Sequence, residues 1–286
     1  MLECDVGTMA VLFAYDGSIN GDWVSHYAIR LAAHDPERAL TLVHVEDGEA
    51  TTETLAPKLD RIERECARAA VALQTLRHPL RTTVAAAFIE HVPRSNALLV
   101  CGARVRSGHR GLLTGTVSEA LLRTGRWKTV AFRVVLPGLL GHPREVLVPL
   151  AAGRPDLRPM LPLLEGLGPD LARIHVLVVE GMRQGRFRRL STEAARRLIE
   201  RGHVLAHAAE HQLRQRPQLA AVATDALVTL SDRAVREIAI VATRTKSGLV
   251  CTTVAAHDLA GRAASAPLED LLREAPCDVA VVQGHE

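Results

Sequence analysis

Residues 97–122 read Ala-Leu-Leu-Val-Cys-Gly-Ala-Arg-Val-Arg-Ser-Gly-His-Arg-Gly-Leu-Leu-Thr-Gly-Thr-Val-Ser-Glu-Ala-Leu-Leu. The apolar run Ala97–Cys101 is the right length for a buried strand. A stretch rich in glycine and arginine follows, and then a helical pattern expected over Leu112–Arg123. Thr116 stands three residues before Glu119, the spacing of a capping box. Strand, glycine-rich loop and capped helix N-terminus together form a ready anion site. Free N–H groups and the positive end of the helix dipole both face the loop. Arg104, Arg106 and Arg110 add positive charge nearby.

Upstream, Ala10–Tyr15 is a second apolar run, stopped by the turn signal Asp16-Gly17-Ser18. A helical pattern over Trp23–Ala33 leads to a strand over Ala39–Val45. An amphipathic pattern over Leu55–Leu76 predicts a long helix, with a third strand over Leu80–Ala87 and a short helix around Ile89. Thr129–Val135 closes the first half as a strand. Strands alternating with helices predict βαβ units and a parallel sheet covered on both faces. In such sheets ligands sit beyond the carboxyl ends of the strands where the winding reverses, which puts Asp16 and Gly102 on one crevice.

The order then repeats. Expected strands are Glu145–Leu150, Ile174–Val179, Leu219–Thr224, Ile238–Thr243 and Val279–Val282, with a long helix over Ser191–Arg214. Ala97–Gly108 aligns with Ile238–Gly248, and the drift between the copies is assigned to an insertion after Gly248. Leu136–Pro143, with two prolines and two glycines, reads as a linker. The expected domains are 1–140 and 141–286. All aromatic residues except Phe187 precede residue 133, which predicts differently built cores in the two halves.

Composition narrows the function. The 286 residues are 48% hydrophobic and 23% charged, a folded chain rather than a disordered one. No run of about 18 apolar residues is present, so no membrane span is expected. The N-terminal stretch does not read as a signal peptide. A net charge of +3 and only 3% aromatic residues argue against a dedicated nucleic-acid domain. Five widely spaced cysteines without a CxxC pair exclude a disulfide framework and a cysteine-based zinc site. Reduced thiols and a cytoplasmic location are the expectation. Neither a GxSxG elbow nor a GxxxxGK[ST] loop occurs. His44 lies on an apolar strand and reads as a core residue. His203, His207 and His211 share one helical face and read as a solvent-facing stripe. The run Arg183, Arg186, Arg188, Arg189 reads as a loop before the long helix.

The segment 102–116 resembles the nucleotide-binding loop of universal stress proteins, G-x2-G-x9-G-[ST]. Asp16 in Ala14-Tyr15-Asp16 resembles the family's first-strand aspartate, and His44-Val45 its second-strand signature. The resemblance spans the chain as two tandem copies. It implies an α/β fold of two open five-stranded parallel sheets flanked by helices, of the adenine nucleotide alpha hydrolase-like kind. It also implies pairing of the halves through their last strands, with a homodimer left open. By resemblance Ala14, Tyr15, Asp16 and Val45 hold the adenine and ribose side. Gly102, Arg104, Val105, Gly115, Thr116 and Val117 hold the ribose and phosphates. The ligand is ATP, with Mg²⁺ beside it, or AMP. Val105 stands at the middle glycine place, where a β-branched residue disfavours both a positive φ and close phosphate approach. The second copy departs further. Leu150-Ala151-Ala152 lacks the aspartate, Ala242 and Thr245 are read at the first two glycine places, and Ser265-Ala266 at the last pair, with about ten residues of extra spacing by that alignment. The expected function is a stress-related regulator with one adenine-nucleotide site. The alternatives are a scaffold in which both sites have decayed, and a slow ATPase for which only Asp16 and His109 offer themselves.

Overall fold

Serine and threonine side chains start many of the helices. Ser18 accepts from the Gly21 amide at 3.0 Å, Thr83 from Ala86 at 3.1 Å, Thr116 from Glu119 at 3.1 Å and Ser191 from Ala194 at 3.2 Å. Each bond satisfies one of the amides that a helix start leaves without a partner. The computed structural model describes residues 10–48, 51–80, 82–92, 96–103, 116–151, 156–255 and 266–283, without the side chains of 52, 151 and 266.

The first half runs β1 (Val11–Ala14), α1 (Ile19–His34), β2 (Ala39–Glu46), α2 (Thr52–Arg68), β3 (Ala72–Pro79), α3 (Val84–His91), β4 (Leu98–Gly102), α4 (Val117–Thr124) and β5 (Lys128–Arg133). The second runs β6 (Glu145–Ala151), α5 (Leu161–Leu167), β7 (Arg173–Gly181), α6 (Gln184–Phe187), α7 (Thr192–Arg214), β8 (Ala223–Ser231), α8 (Ala234–Arg244), β9 (Leu249–Val254), α9 (Ala266–Glu274) and β10 (Asp278–Gln283). Among the described residues the strands form one ten-stranded sheet, ordered β3-β2-β1-β4-β5-β10-β9-β6-β7-β8. Neighbours are parallel except at the seam, where β5 and β10 run antiparallel with Phe132 opposite Ala280. The fold is therefore α/β, with a mostly parallel sheet flanked by helices.

Hydrophobic packing divides by sheet face rather than by half. On one face Phe13, Leu42, Val148 and Ile174 pack with α1, α2, α5 and α7; on the other Leu12, Leu99, Leu147 and Val250 pack with α3, α4, α8 and α9. Leu12 and Phe13 go to opposite faces because successive strand residues do. The buried aromatic residues all come from the first half, as expected, but the cores are not separate: each crosses the seam. Beneath the seam the Tyr27 ring stacks on Phe132 with centroids 4.3 Å apart. The Tyr27 hydroxyl donates to Asp278 Oδ2 at 2.7 Å, and the amides of Val135 and Leu136 donate to Asp278 Oδ1 at 2.7 and 2.8 Å.

Several sequence expectations are corrected. The helix expected over Leu55–Leu76 ends at Arg68, and the third strand is Ala72–Pro79 rather than Leu80–Ala87, whose later residues open α3. Ile238–Thr243 is helix, not strand. Its apolar residues bury at helical spacing (Ile238, Val241, Ala242), and the fourth strand of this half is β9. The third strand of this half is Ala223–Ser231, later than Leu219–Thr224. The extra length of the second half accordingly lies between β7 and β8, in α6 and a 23-residue α7 against a 17-residue α2, and not after Gly248.

Candidate functional site

β1 pairs with β2 on one side and β4 on the other, so the winding reverses between β1 and β4. Beyond their carboxyl ends lies a cleft lined by Ala14, Tyr15, Asp16, Val43, Val45, Asp47, Val84, Phe88, Cys101, Gly102, Thr116, Val117 and Ser118. Its empty volume, open mouth included, is about 810 Å³. Of the residues expected at the site, Ala14, Tyr15, Asp16, Val45, Gly102, Thr116 and Val117 meet here. Arg104, Val105 and Gly115 lie outside the described residues, as do Arg106, His109 and Arg110.

The turn after β1 is built to present Asp16. Its Oδ1 accepts the Ser18 amide at 2.9 Å, and Gly17 takes φ +71°, open to glycine at little cost. A Cβ on Gly21 would stand 2.6 Å from Asp16 Oδ1, so glycine there lets α1 begin directly beneath the carboxylate. From α2, Lys58 Nζ donates to the Gly17 carbonyl at 2.5 Å and pairs with Asp22 at 3.0 Å. The Tyr15 hydroxyl donates to Asp22 at 2.5 Å, and burial together with that carboxylate holds its pKa far above the ordinary tyrosine value.

His44 is 2% exposed, with Nδ1 2.8 Å from the Tyr15 carbonyl oxygen. It can hydrogen-bond there only as an N–H, so it braces β1 against β2. Opposite, Ser118 Oγ donates to the Gly102 carbonyl at 3.0 Å and ties the start of α4 to the end of β4. A Cβ on Gly102 would meet Asn20 Nδ2 at 2.7 Å.

Chemically the cleft has two zones. Val43, Val45, Val84, Phe88 and Cys101 supply an apolar wall. Burial pushes the Cys101 thiol up to about 12, so it is wall rather than nucleophile. Asp16 and Asp47 supply carboxylates, which accept from hydroxyl and amino groups. The first turn of α4 supplies amides and positive potential suited to an anion.

Val43, Asp47, Val84, Phe88, Cys101 and Ser118 were not among the expected residues. Val43 was within reach, since it shares a strand face with Val45. Val84 and Phe88 were hidden by the misplaced third strand: on a helix they are one turn apart and face the same way.

Among the described residues the second half has no matching constellation. Strand register sets Thr253, opposite Val282, where Gly102 stands opposite Phe132, and Ala151 where Asp16 stands. The assignment of Ala242 and Thr245 to the glycine places is corrected, since Ala242 lies within α8 and Thr245 caps its end. With Thr253 in place, the distance to Ser265 nearly matches that from Gly102 to Gly115, and the apparent extra spacing disappears. His203, His207 and His211 are exposed on α7. His207 pairs with Glu210 at 3.0 Å, and His211 lies 3.0 Å from Gln215.

No family profile matches the chain, and no curated protein sequence does. Solved structures do. A universal stress protein from Archaeoglobus fulgidus aligns at 15% identity over 97% of both chains, with a TM-score of 0.57. A protein of Pseudomonas aeruginosa described as a candidate universal stress protein aligns at 13% identity over 97% of this chain and 94% of its own, with a TM-score of 0.58. The cytoplasmic domain of a prokaryotic cation chloride cotransporter aligns at 12% identity over 96% and 95%, also at 0.58. The chain thus has the α/β fold found in universal stress proteins. Among its described residues no helix is long and apolar enough to cross a membrane.

Proposed function

We propose that the chain is a regulatory protein of the universal-stress-protein kind that binds one adenine nucleotide in the first-half cleft. The observation that carries this reading is the convergence of Asp16, Val45, Gly102 and Thr116 on one cleft at the reversal of the sheet. The apolar wall suits a purine face, the carboxylates suit ribose hydroxyls, and the start of α4 suits a phosphate. In this reading the ligand acts as a signal rather than a substrate. A signal of this kind works by binding one arrangement of the site better than another.

Calorimetric titration of ATP, ADP and AMP, with and without Mg²⁺, tests the reading. Saturable binding of one nucleotide per chain is expected. Asp16→Ala is expected to weaken it at least about tenfold, the value of one hydrogen bond to a charged group. Gly102→Thr, which copies the second half, is expected to abolish it. Binding unaffected by both substitutions, or no binding to the unaltered protein, overturns the proposal.

A further inference from the structure

The residues that lengthen the second half carry a dense run of positive charge. Arg183, Arg186, Arg188 and Arg189 surround α6, and every residue from Arg183 to Arg189 is exposed. The segment adjoins the start of α8: the Met182 amide donates to the Ser231 carbonyl at 3.0 Å, and a Cβ on Gly181 would touch Ala234 Cβ at 3.9 Å. Exposed Arg233 and Arg236 therefore join the same patch. Among the described residues none of these six arginines has an ion-pair partner.

Nearby carboxylates are mostly engaged. Glu180 is held by Arg201 at 2.7 Å, Glu193 is paired with Arg197, and Glu237 accepts from Thr229 at 3.1 Å. Asp232 and Glu237, whose partner Thr229 is neutral, partly offset the arginines. The N-termini of α7 and α8 face the same end and add to the positive potential. In the first half the corresponding link between β2 and α2 has no arginine.

Phe187, 38% exposed, sits in the middle of the run Arg186-Phe187-Arg188-Arg189. It is also the only aromatic residue beyond position 133. Arginine forks grip phosphate oxygens in pairs, and an aromatic ring among them offers a base a stacking surface. An anionic bilayer would require an apolar face, but Met182 and Leu190 are half-buried and Phe187 is the one exposed apolar side chain of the segment. Low average aromatic content hides this arrangement, because what counts is one ring placed among unpaired arginines.

We infer that the α6 segment with the start of α8 is a docking surface for single-stranded nucleic acid, separate from the first-half cleft. Contacts run to the phosphate backbone and one stacked base, so recognition is independent of sequence.

The test is fluorescence anisotropy of the full chain with labelled oligouridylate and oligodeoxythymidylate of about 16 nucleotides, repeated over a salt series. Binding is expected at low salt, with log K falling against log salt at a slope near −3 if about four phosphates are neutralised. The triple variant Arg186→Gln, Arg188→Gln, Arg189→Gln is expected to reduce that slope by about 2. Phe187→Ala is expected to weaken binding about tenfold with the slope unchanged. Asp16→Ala is expected to leave it intact, which separates this surface from the nucleotide cleft. Absence of binding at low salt, or an unchanged slope in the triple variant, overturns the inference. So does equal binding of inorganic polyphosphate with no effect of Phe187→Ala, which marks a general polyanion surface. Binding to phosphatidylglycerol vesicles in place of the oligonucleotides also overturns it.

Discussion

Asp278 shows how much one side chain can decide. It is fully buried and accepts from two amides of the turn after β5 and from the Tyr27 hydroxyl of α1. Asp278→Ala leaves those buried donors without an acceptor and is expected to cost about 3 kcal/mol. Asp278→Asn keeps an oxygen for both amides and an N–H for the tyrosine oxygen. Burial holds the Asp278 carboxyl above its ordinary value. The folded chain then binds that proton more tightly than the unfolded chain does. The group's contribution is therefore most favourable below the unfolded pKa of about 3.9 and is lost as pH rises through the folded value. Urea denaturation of both proteins across a pH series checks this. The stability of Asp278→Asn relative to the unaltered protein is expected to rise with pH above about 4 and then level off. A difference that stays flat would show that burial does not shift this carboxyl. In the sequence Asp278 is simply an aspartate before an apolar strand. Its partners lie 142, 143 and 251 residues away, so no local pattern could reveal it. Asp16 and Thr116 were legible because their work is local: a turn with Gly17 and Ser18, and a helix cap over Glu119.

At the scale of elements, the misread ends of α2 and α8 share a physical cause. α2 ends with Ala70 at φ +55°, the Ala70 amide bonded to the Ala67 carbonyl and the Val71 amide to the Cys66 carbonyl. α8 ends in the same way with Lys246 at φ +53°, bonded to Thr243, and Ser247 bonded to Ala242. Both are Schellman endings, which usually carry glycine at the left-handed position. With alanine and lysine there, the sequence shows no stop signal. The pattern of α2 consequently runs on into β3. The apolar Ile238–Thr243 stretch likewise reads as a strand when the true strand begins after the lysine turn. Left-handed geometry costs an L-residue about 1–2 kcal/mol. Ala70→Gly and Lys246→Gly are each expected to stabilise the chain by about 1 kcal/mol in thermal denaturation. A loss of stability in both would contradict the strained-cap explanation. The outer elements of the site were legible for the opposite reason. β1, β2 and β4 are short apolar runs ended by clear turn signals, and Ser18 and Thr116 mark the following helices.

Across the whole molecule, α1 links the cleft to the second half. It starts under Asp16, and Tyr27 bonds Asp278 across the seam. Its far end meets α5 and the turn beyond, where Arg30 pairs with Asp170 at 2.7 Å and His34 Nδ1 lies 2.8 Å from the Gly166 carbonyl oxygen. A Cβ on Gly166 would stand 2.7 Å from Leu31 Cδ2, so glycine permits this close packing. The α/β architecture could be read from periodicity and the β5–β10 pairing from the family resemblance, but the continuity of both cores across that seam could not. That continuity depends on how the two edge strands β5 and β10 find each other. The central claim is that one nucleotide cleft exists, and that it lies in the first half. Amide hydrogen exchange with and without saturating nucleotide tests it most directly. Slower exchange is predicted at the turn 16–21, at Gly102 and over the first turn of α4, with β6, β9 and the start of α9 unchanged. Protection at the second-half strand ends instead, or no protection anywhere, would contradict the account.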